Sequence, residues 1–327
     1  MAFFIRPVSG TGAGTQGVNF AGFAAIGLTI LIWSSWIITA KMGVELNLTS
    51  FDLAAMRYGC ASIFLSYFAY QYRSVIFLTK PGHLICICLG AGLPFLFLAT
   101  WGLKFTPASH AGILIPGSLP LFVTVLTALR AGVYPSAARL IGVAGIMVGI
   151  AILIIPEMLA SDSPTMFVGH LLYLAAGLSW SIYTVAVNES AIPPLAASGL
   201  FSVVSCVLLF ILYIFGAADT NIASIVLTHD VSRYLLIVVV QGFFVGTLSA
   251  FCFTYAVMTL GASIATALSS LTPLMVVLLS VLFLGETINT VILIAMVIVC
   301  FGVAVMSCNG LFRSFVIPPI FYRMRSK

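Results

Sequence analysis

The chain has 327 residues, of which 62% are hydrophobic and 6% charged, and its mean hydropathy is +1.22. A water-soluble domain carries about a quarter charged residues, so this composition excludes one and points to an integral membrane protein. The formal net charge of +5 is small, and its placement, taken up below, gives no reason to expect a nucleic-acid partner.

Residues 1–19 are rich in Gly and Thr, contain Arg6 and lack the continuous apolar core of a cleavable signal peptide, so they read as a short cytoplasmic tail. Crossing a hydrocarbon core of about 30 Å takes roughly twenty apolar residues in a helix, which satisfies its own backbone hydrogen bonds. Such runs fall at 20–41, 51–72, 83–103, 108–129, 138–156, 168–187, 194–215, 233–257, 261–284 and 288–308, ten in all. They are continuous, unlike the short alternating segments of a membrane barrel. The larger breaks, 157–167 and 216–232, collect Pro, Asp, Ser and Thr as turn formers do, and 309–327 forms a basic cytoplasmic tail.

The chain repeats itself. A shift of 153 residues lays Pro120 on Pro273, Gly132 on Gly285 and Gly149 on Gly302, with ten of thirty-two positions identical from 120 to 151. Seven of those ten are Leu, Val, Ile or Ala, which any two lipid-soluble helices share now and then, so the proline and the glycines carry the comparison. Trp33-Ser34-Ser35-Trp36 returns as Trp180-Ser181-Ile182-Tyr183. Trp101 with Ala108-Ser109 returns as Tyr255 with Ala262-Ser263, one residue out of the first register. The expected fold is an all-α integral membrane protein of ten transmembrane helices, built as two repeats of five over 20–156 and 168–308. An odd number of spans per repeat makes the second enter from the opposite side, so the repeats are inverted. Inverted repeats enclose a site near mid-bilayer in many secondary transporters that work by alternating access.

With the N-terminus in the cytoplasm, Arg6, Arg73, Lys80, Arg130, Arg139, Arg313, Arg323, Arg325 and Lys327 fall inside, and Lys41, Arg57, Lys104 and Arg233 lie toward the other face. Both termini are therefore expected in the cytoplasm. Of the acids, Glu189 alone falls inside. The basic tail also suits anionic headgroups. The seven cysteines, Cys60, Cys86, Cys88, Cys206, Cys252, Cys300 and Cys308, are scattered through apolar spans and read as buried thiols rather than as disulfides or metal ligands. No cofactor or metal is expected. Asn47-Leu48-Thr49 and Asn188-Glu189-Ser190 fit a glycosylation pattern that arises often by chance, and the second would face the cytoplasm.

Ser270-Leu271-Thr272-Pro273, followed by an apolar run to Gly285-Glu286-Thr287 and a Gly-containing last span, resembles the ninth-helix signature of the EamA-type members of the drug/metabolite transporter superfamily. The resemblance covers about 20 to 308 and implies ten helices and the movement of small metabolites, without naming the solute. The first repeat departs from it, because Val133 stands where Glu286 stands in the second.

Several residues are candidates for function. Pro116 and Pro120 in the fourth span and Pro273 in the ninth remove backbone donors, so each helix should kink there. They act either as packing kinks or, at matching places in the two repeats, as hinges. Trp33, Trp36, Trp180 and Tyr183 lie well inside their spans, each pair three residues apart on one face. They are core packing or an aromatic cavity wall that Trp101 and Tyr255 extend. Ionisable groups in a span are costly unless partnered or facing water. Arg57 is expected to pair with Asp52 or to snorkel outward rather than to contact substrate, and Lys41 and Lys104 to snorkel. His110 is either a hydrogen-bonded core residue or a proton shuttle. Gln241 needs a polar partner and is a fair substrate contact. His170 and His229, at span edges, should be solvated. Glu286 is expected to cap the start of the tenth helix, with a gate or coupling role as the alternative. Gly145 with Gly149 and Gly242 with Gly246 form small-xxx-small faces, more often packed within a protomer than between protomers, which leaves a homodimer open.

These features favour a secondary transporter, expected to export a small organic metabolite such as an amino acid across a bacterial inner membrane. Sugar and nucleoside solutes stay open. An intramembrane enzyme lacks HExxH, P-loop and GxSxG motifs. A scaffold or sensor has no use for an inverted duplication, and a channel would want a ring of charges or carbonyls.

Overall fold

Local chemistry sets where the helices begin and end. The computed structural model describes residues 19–132, 134–159, 164–222 and 231–313, and all regular structure in them is helical. Asn19 caps α1 (Phe20–Glu45) through its side chain to the Gly22 N–H at 3.1 Å. Thr49 and Asp52 form a reciprocal capping box that opens α2 (Ser50–Gln71). A short α3 (Arg73–Leu78) leads to α4 (Pro81–Ala91), and a break at Gly92 separates α4 from α5 (Leu93–Phe105). α6 (Ala108–Ala131), α7 (Ala137–Leu159), α8 (Pro164–Glu189) and α9 (Pro194–Ile214) follow. α10 (Val231–Val238) runs through a π-helical stretch, Val239–Leu248, into α11 (Ser249–Leu260). The chain ends with α12 (Ala262–Ser269), α13 (Thr272–Leu284) and α14 (Thr290–Arg313).

Eight of these segments, counting α4 with α5 and the parts of the eighth and ninth spans together, are long and apolar enough to cross a membrane. The expected ten are not reached on that measure. α2 has 22 residues but is the least apolar of the long helices, because it carries Asp52, Arg57 and several hydroxyls. The apolar stretch of the last helix, Thr290–Met306, is shorter than the rest.

The sequence repeat is visible in the backbone. Gly132 and Gly285 both end their helices in the left-handed conformation, with φ of 62° and 67°, where a side chain would be strained. The two irregular spans also correspond, since a shift of 154 residues (the Trp101 to Tyr255 register) carries the break at Gly92 onto Gly246 in the π-helical stretch. One difference stands out. Pro116 and Pro120 lie inside an unbroken α6, whereas Pro273 sits in the first turn of α13, after the ninth span has broken at Ser270-Leu271. There the N–H groups of Ser270 and Leu271 turn back to carbonyls three residues earlier, which tightens and ends α12.

Three pairs of helices that correspond in the two repeats, α2 with α9, α6 with α13 and α7 with α14, pack against each other and run antiparallel. Along α7, Gly142 meets Gly302 and Met306, while Gly149 meets Ala295 and Val299, so the chain directions oppose. A Cβ on Gly142 would fall 2.7 Å from the Gly302 carbonyl oxygen, and this closeness supplies the van der Waals contact that holds helices together in lipid. Gly145 faces Gly302 in the same seam. Gly242 and Gly246 lie against Met56, Arg57 and Cys60 of α2, so both small-residue faces are used within the chain. In the α2–α9 pair Tyr58 meets Phe201 and Leu65 meets Gly199; in the α6–α13 pair Ala108 meets Glu286 and Gly112 meets Val276. The main core runs through both repeats.

Candidate functional site

A cavity of about 80 Å³ lies where the two repeats meet. Trp33, Trp36 and Ile37 of α1 form one side, and Ile115, Pro116 and Leu119 of α6 another. Arg57 of α2 and Phe95 of α5 complete the first repeat's share, and Trp180 of α8 and Thr272 of α13 come from the second. A water needs roughly 10–15 Å³ by this measure, so the space takes several waters or a small solute.

Aromatic rings continue outward from this wall. Trp36 lies 5.9 Å from Phe95, Phe95 4.7 Å from Trp180, Trp180 5.3 Å from Tyr183, and Tyr183 5.6 Å from Phe201. Tyr183 therefore stands behind Trp180. Phe95, which joins the tryptophans of the two repeats, went unmarked in the sequence; its signal was Gly92 with Pro94, the break that turns α5 toward the cavity. The Tyr58 hydroxyl donates across that break to the Ala91 and Gly92 carbonyls at 2.9 and 2.8 Å.

Arg57 is neither snorkelling nor paired with Asp52. It is 7% exposed and lies over the rings of Trp36, Phe95 and Tyr58 at 5.4, 5.8 and 5.9 Å. Among the described residues its Nη1 has no hydrogen-bond partner and Arg57 forms no ion pair. The reason lies in helix geometry, because five residues turn the chain by about 140° and put Asp52 on another face. There Asp52 accepts from the Thr49 and Asn221 backbone N–H groups at 3.0 and 3.1 Å and from the Thr220 hydroxyl at 2.6 Å. Ring contacts return about 0.5–2 kcal/mol each to a cation, whereas a buried unpaired charge costs several kcal/mol. Arg57 is left short of an anion.

The remaining candidates sit elsewhere. Trp101 and Tyr255 are 44% and 43% exposed and are not among the residues that line this cavity. Gln241 is buried, but its Nε2 donates to the Trp36 carbonyl at 2.8 Å and to the Thr39 hydroxyl at 3.1 Å, so it staples the π-helical stretch to the back of α1. His110 is bonded to His170, Nδ1 to Nε2 at 2.8 Å. His170 is fully buried rather than solvated, because α8 begins outside it and carries it in beside α6. His229 and Val133 lie outside the described residues. Lys41 turns inward and donates to the Leu103 and Thr106 carbonyls at the end of α5, a cation at a helix C-terminus, while Lys104 is exposed.

Glu286 caps a helix, though not the tenth. Its carboxylate accepts from the Ala108 N–H at 2.6 Å and the Ser109 N–H at 3.0 Å, at the start of α6 in the other repeat. The left-handed turn at Gly285 aims it there, and Asn289 takes the cap of α14 by accepting from Ile292. A wider depression between α6, α7 and α8, about 270 Å³, is lined by apolar side chains such as Leu121, Met147 and Ile154 and suits lipid chains rather than a polar solute.

Comparison with known proteins fits this architecture. The sequence model of the EamA-like transporter family matches residues 20–155 and 167–308, one match per repeat. The chain belongs to the EamA-like transporter family. As a member of it, the chain is 30% identical over 166 residues to an uncharacterized transporter of Archaeoglobus fulgidus, covering 49% of this chain and 55% of that protein. It is 26% identical over 156 residues to the uncharacterized transporter YoaV of Bacillus subtilis, covering 47% and 53%. The chain thus spans about half the length of the curated relatives it matches. A solved crystal structure shares the fold at a TM-score of 0.58 and 21% identity, over 92% of this chain and 98% of its own. The EamA assignment and the apolar helices make this a multi-pass membrane protein.

Proposed function

We propose that this chain is a secondary transporter that carries a small organic metabolite, such as an amino acid, by alternating access, and that net flux is outward across a bacterial inner membrane. The observation that carries this reading is the aromatic cavity bounded by both repeats. Its position at their interface is where relative rocking of the repeats would change the side from which it is reached. The antiparallel packing of corresponding helices supports an inverted repeat, and with α2 and α14 counted the chain crosses ten times, both termini in the cytoplasm.

The moving parts have candidates. Pro116 and Pro120 leave the Gly112 and Pro116 carbonyls without their helical donors, which softens α6 beside the cavity. Pro273 follows a break in the corresponding span. Glu286 ties the end of α13 to the start of α6 across the repeats and is suited to latch one mouth. No nucleotide-binding motif is present in the sequence, so a solute or ion gradient drives the flux.

The test is flux of labelled amino acids, nucleosides and sugars in proteoliposomes of the purified protein, with and without an imposed pH gradient. Counterflow of one solute class is expected, with little dependence on the pH gradient. Equal behaviour of protein-containing and empty liposomes for all three classes would remove the transport reading.

A further inference from the structure

We propose that Arg57 is the anion-binding element of the cavity, and that the solute is a small carboxylate with an apolar, flat or branched side, its carboxylate on the guanidinium and its apolar part against Trp36 and Trp180. This rests on the transport reading above and names the substrate class for the same site.

Four observations converge on it. Arg57 is more than nine-tenths buried and lines the cavity, and Nη1 has no partner. Among the described residues no acid lines the cavity with it. Among the described residues the ion pairs are Lys41 with Glu45 and Glu189 with His83 and Arg130, none of which includes Arg57. Asp52, the acid nearest in sequence, is saturated by a capping box and by Thr220 and Asn221.

A structural arginine in lipid is partnered by a carboxylate or by the carbonyls at a helix end, as Lys41 is here. Arg57 has rings instead. Trp36, Phe95 and Tyr58 engage a guanidinium through their π faces, which holds the cation in place but supplies no acceptor for its in-plane N–H groups. A planar fork with free N–H groups matches a carboxylate, which neutralises the charge and accepts hydrogen bonds at once. A neutral carbonyl does only the second. The surrounding tryptophans then select an apolar remainder over a sugar or a second anionic group.

The test uses the full-length protein in nanodiscs, with 3-phenylpropanoate and its uncharged amide as probes followed by calorimetry. The carboxylate is expected to bind at least tenfold more tightly than the amide. Arg57→Met should abolish that preference, Arg57→Lys should keep part of it, and the melting temperature of Arg57→Met should equal or exceed that of the unaltered protein. Equal affinity for the two probes in the unaltered protein, binding of neither, or a preference that survives Arg57→Met overturns the assignment, and the first two need no variant to fold. Counterflow of L-phenylalanine in proteoliposomes separates the two readings. A carboxylate preference without flux of any solute ends the transport reading and leaves the anion site, whereas flux of amide and carboxylate alike ends the anion site and leaves transport.

Discussion

Glu286 shows how one side chain can couple two halves of a membrane protein. Its carboxylate meets two of the free N–H groups that every helix start leaves unsatisfied, here at the positive end of α6 and across the repeat boundary. A helix cap is worth about 0.5–2 kcal/mol and a hydrogen bond to a charged group about 1.5–3 kcal/mol. Glu286→Ala is therefore expected to lower stability by about 2 kcal/mol in detergent unfolding, and Glu286→Gln by less because one acceptor survives. Equal stability of all three proteins would remove the latch. The tryptophans divide in the same way by position. Trp180→Ala should cut flux at least tenfold, while Trp101→Ala, away from this cavity, should leave it within about twofold by the counterflow assay. Parallel losses at both positions would move the solute away from this cavity.

At the scale of the element, α6 stands out as a helix carrying two interior prolines beside the cavity. An interior proline costs a helix about 3 kcal/mol relative to alanine through the lost bond and the clash one turn back. Pro116→Ala restores the donor to the Gly112 carbonyl. It is expected to raise the melting temperature and to slow counterflow several-fold, since the stiffened helix no longer yields at the cavity wall. A variant that is more stable and equally fast would reduce the proline to a packing kink. The matching region of the second repeat reaches a similar end differently, by breaking the span before Pro273. That difference could not be read from the aligned prolines, because it depends on the short turn formed by Ser270 and Leu271.

For the whole molecule, the antiparallel packing of corresponding helices is the arrangement that the proposed alternating access would use. Gly132 and Gly285 end equivalent helices with the same backbone geometry, yet antiparallel packing puts them at opposite ends of the bundle. In a background without the native cysteines, single cysteines at Ser136 and Asn289 should react with a membrane-impermeant reagent from opposite sides. Reaction of both from one side would show parallel rather than inverted repeats and would remove the rocking mechanism.

By itself the sequence determined the solvent, the approximate spans, the duplication and the family, because hydropathy, helix breakers and repeated Pro and Gly are properties of neighbouring residues or of a register shift. It also supplied Trp33, Trp36, Trp180 and Pro116 of the cavity wall. The tertiary structure alone decided the partners: Glu286 with a helix start 178 residues away, His110 with His170, Gln241 with α1, and Phe95 between the two tryptophans. It also separated Arg57 from Asp52. In lipid a polar group must find its complement wherever packing brings one, and no local pattern in the chain records which distant helix that is.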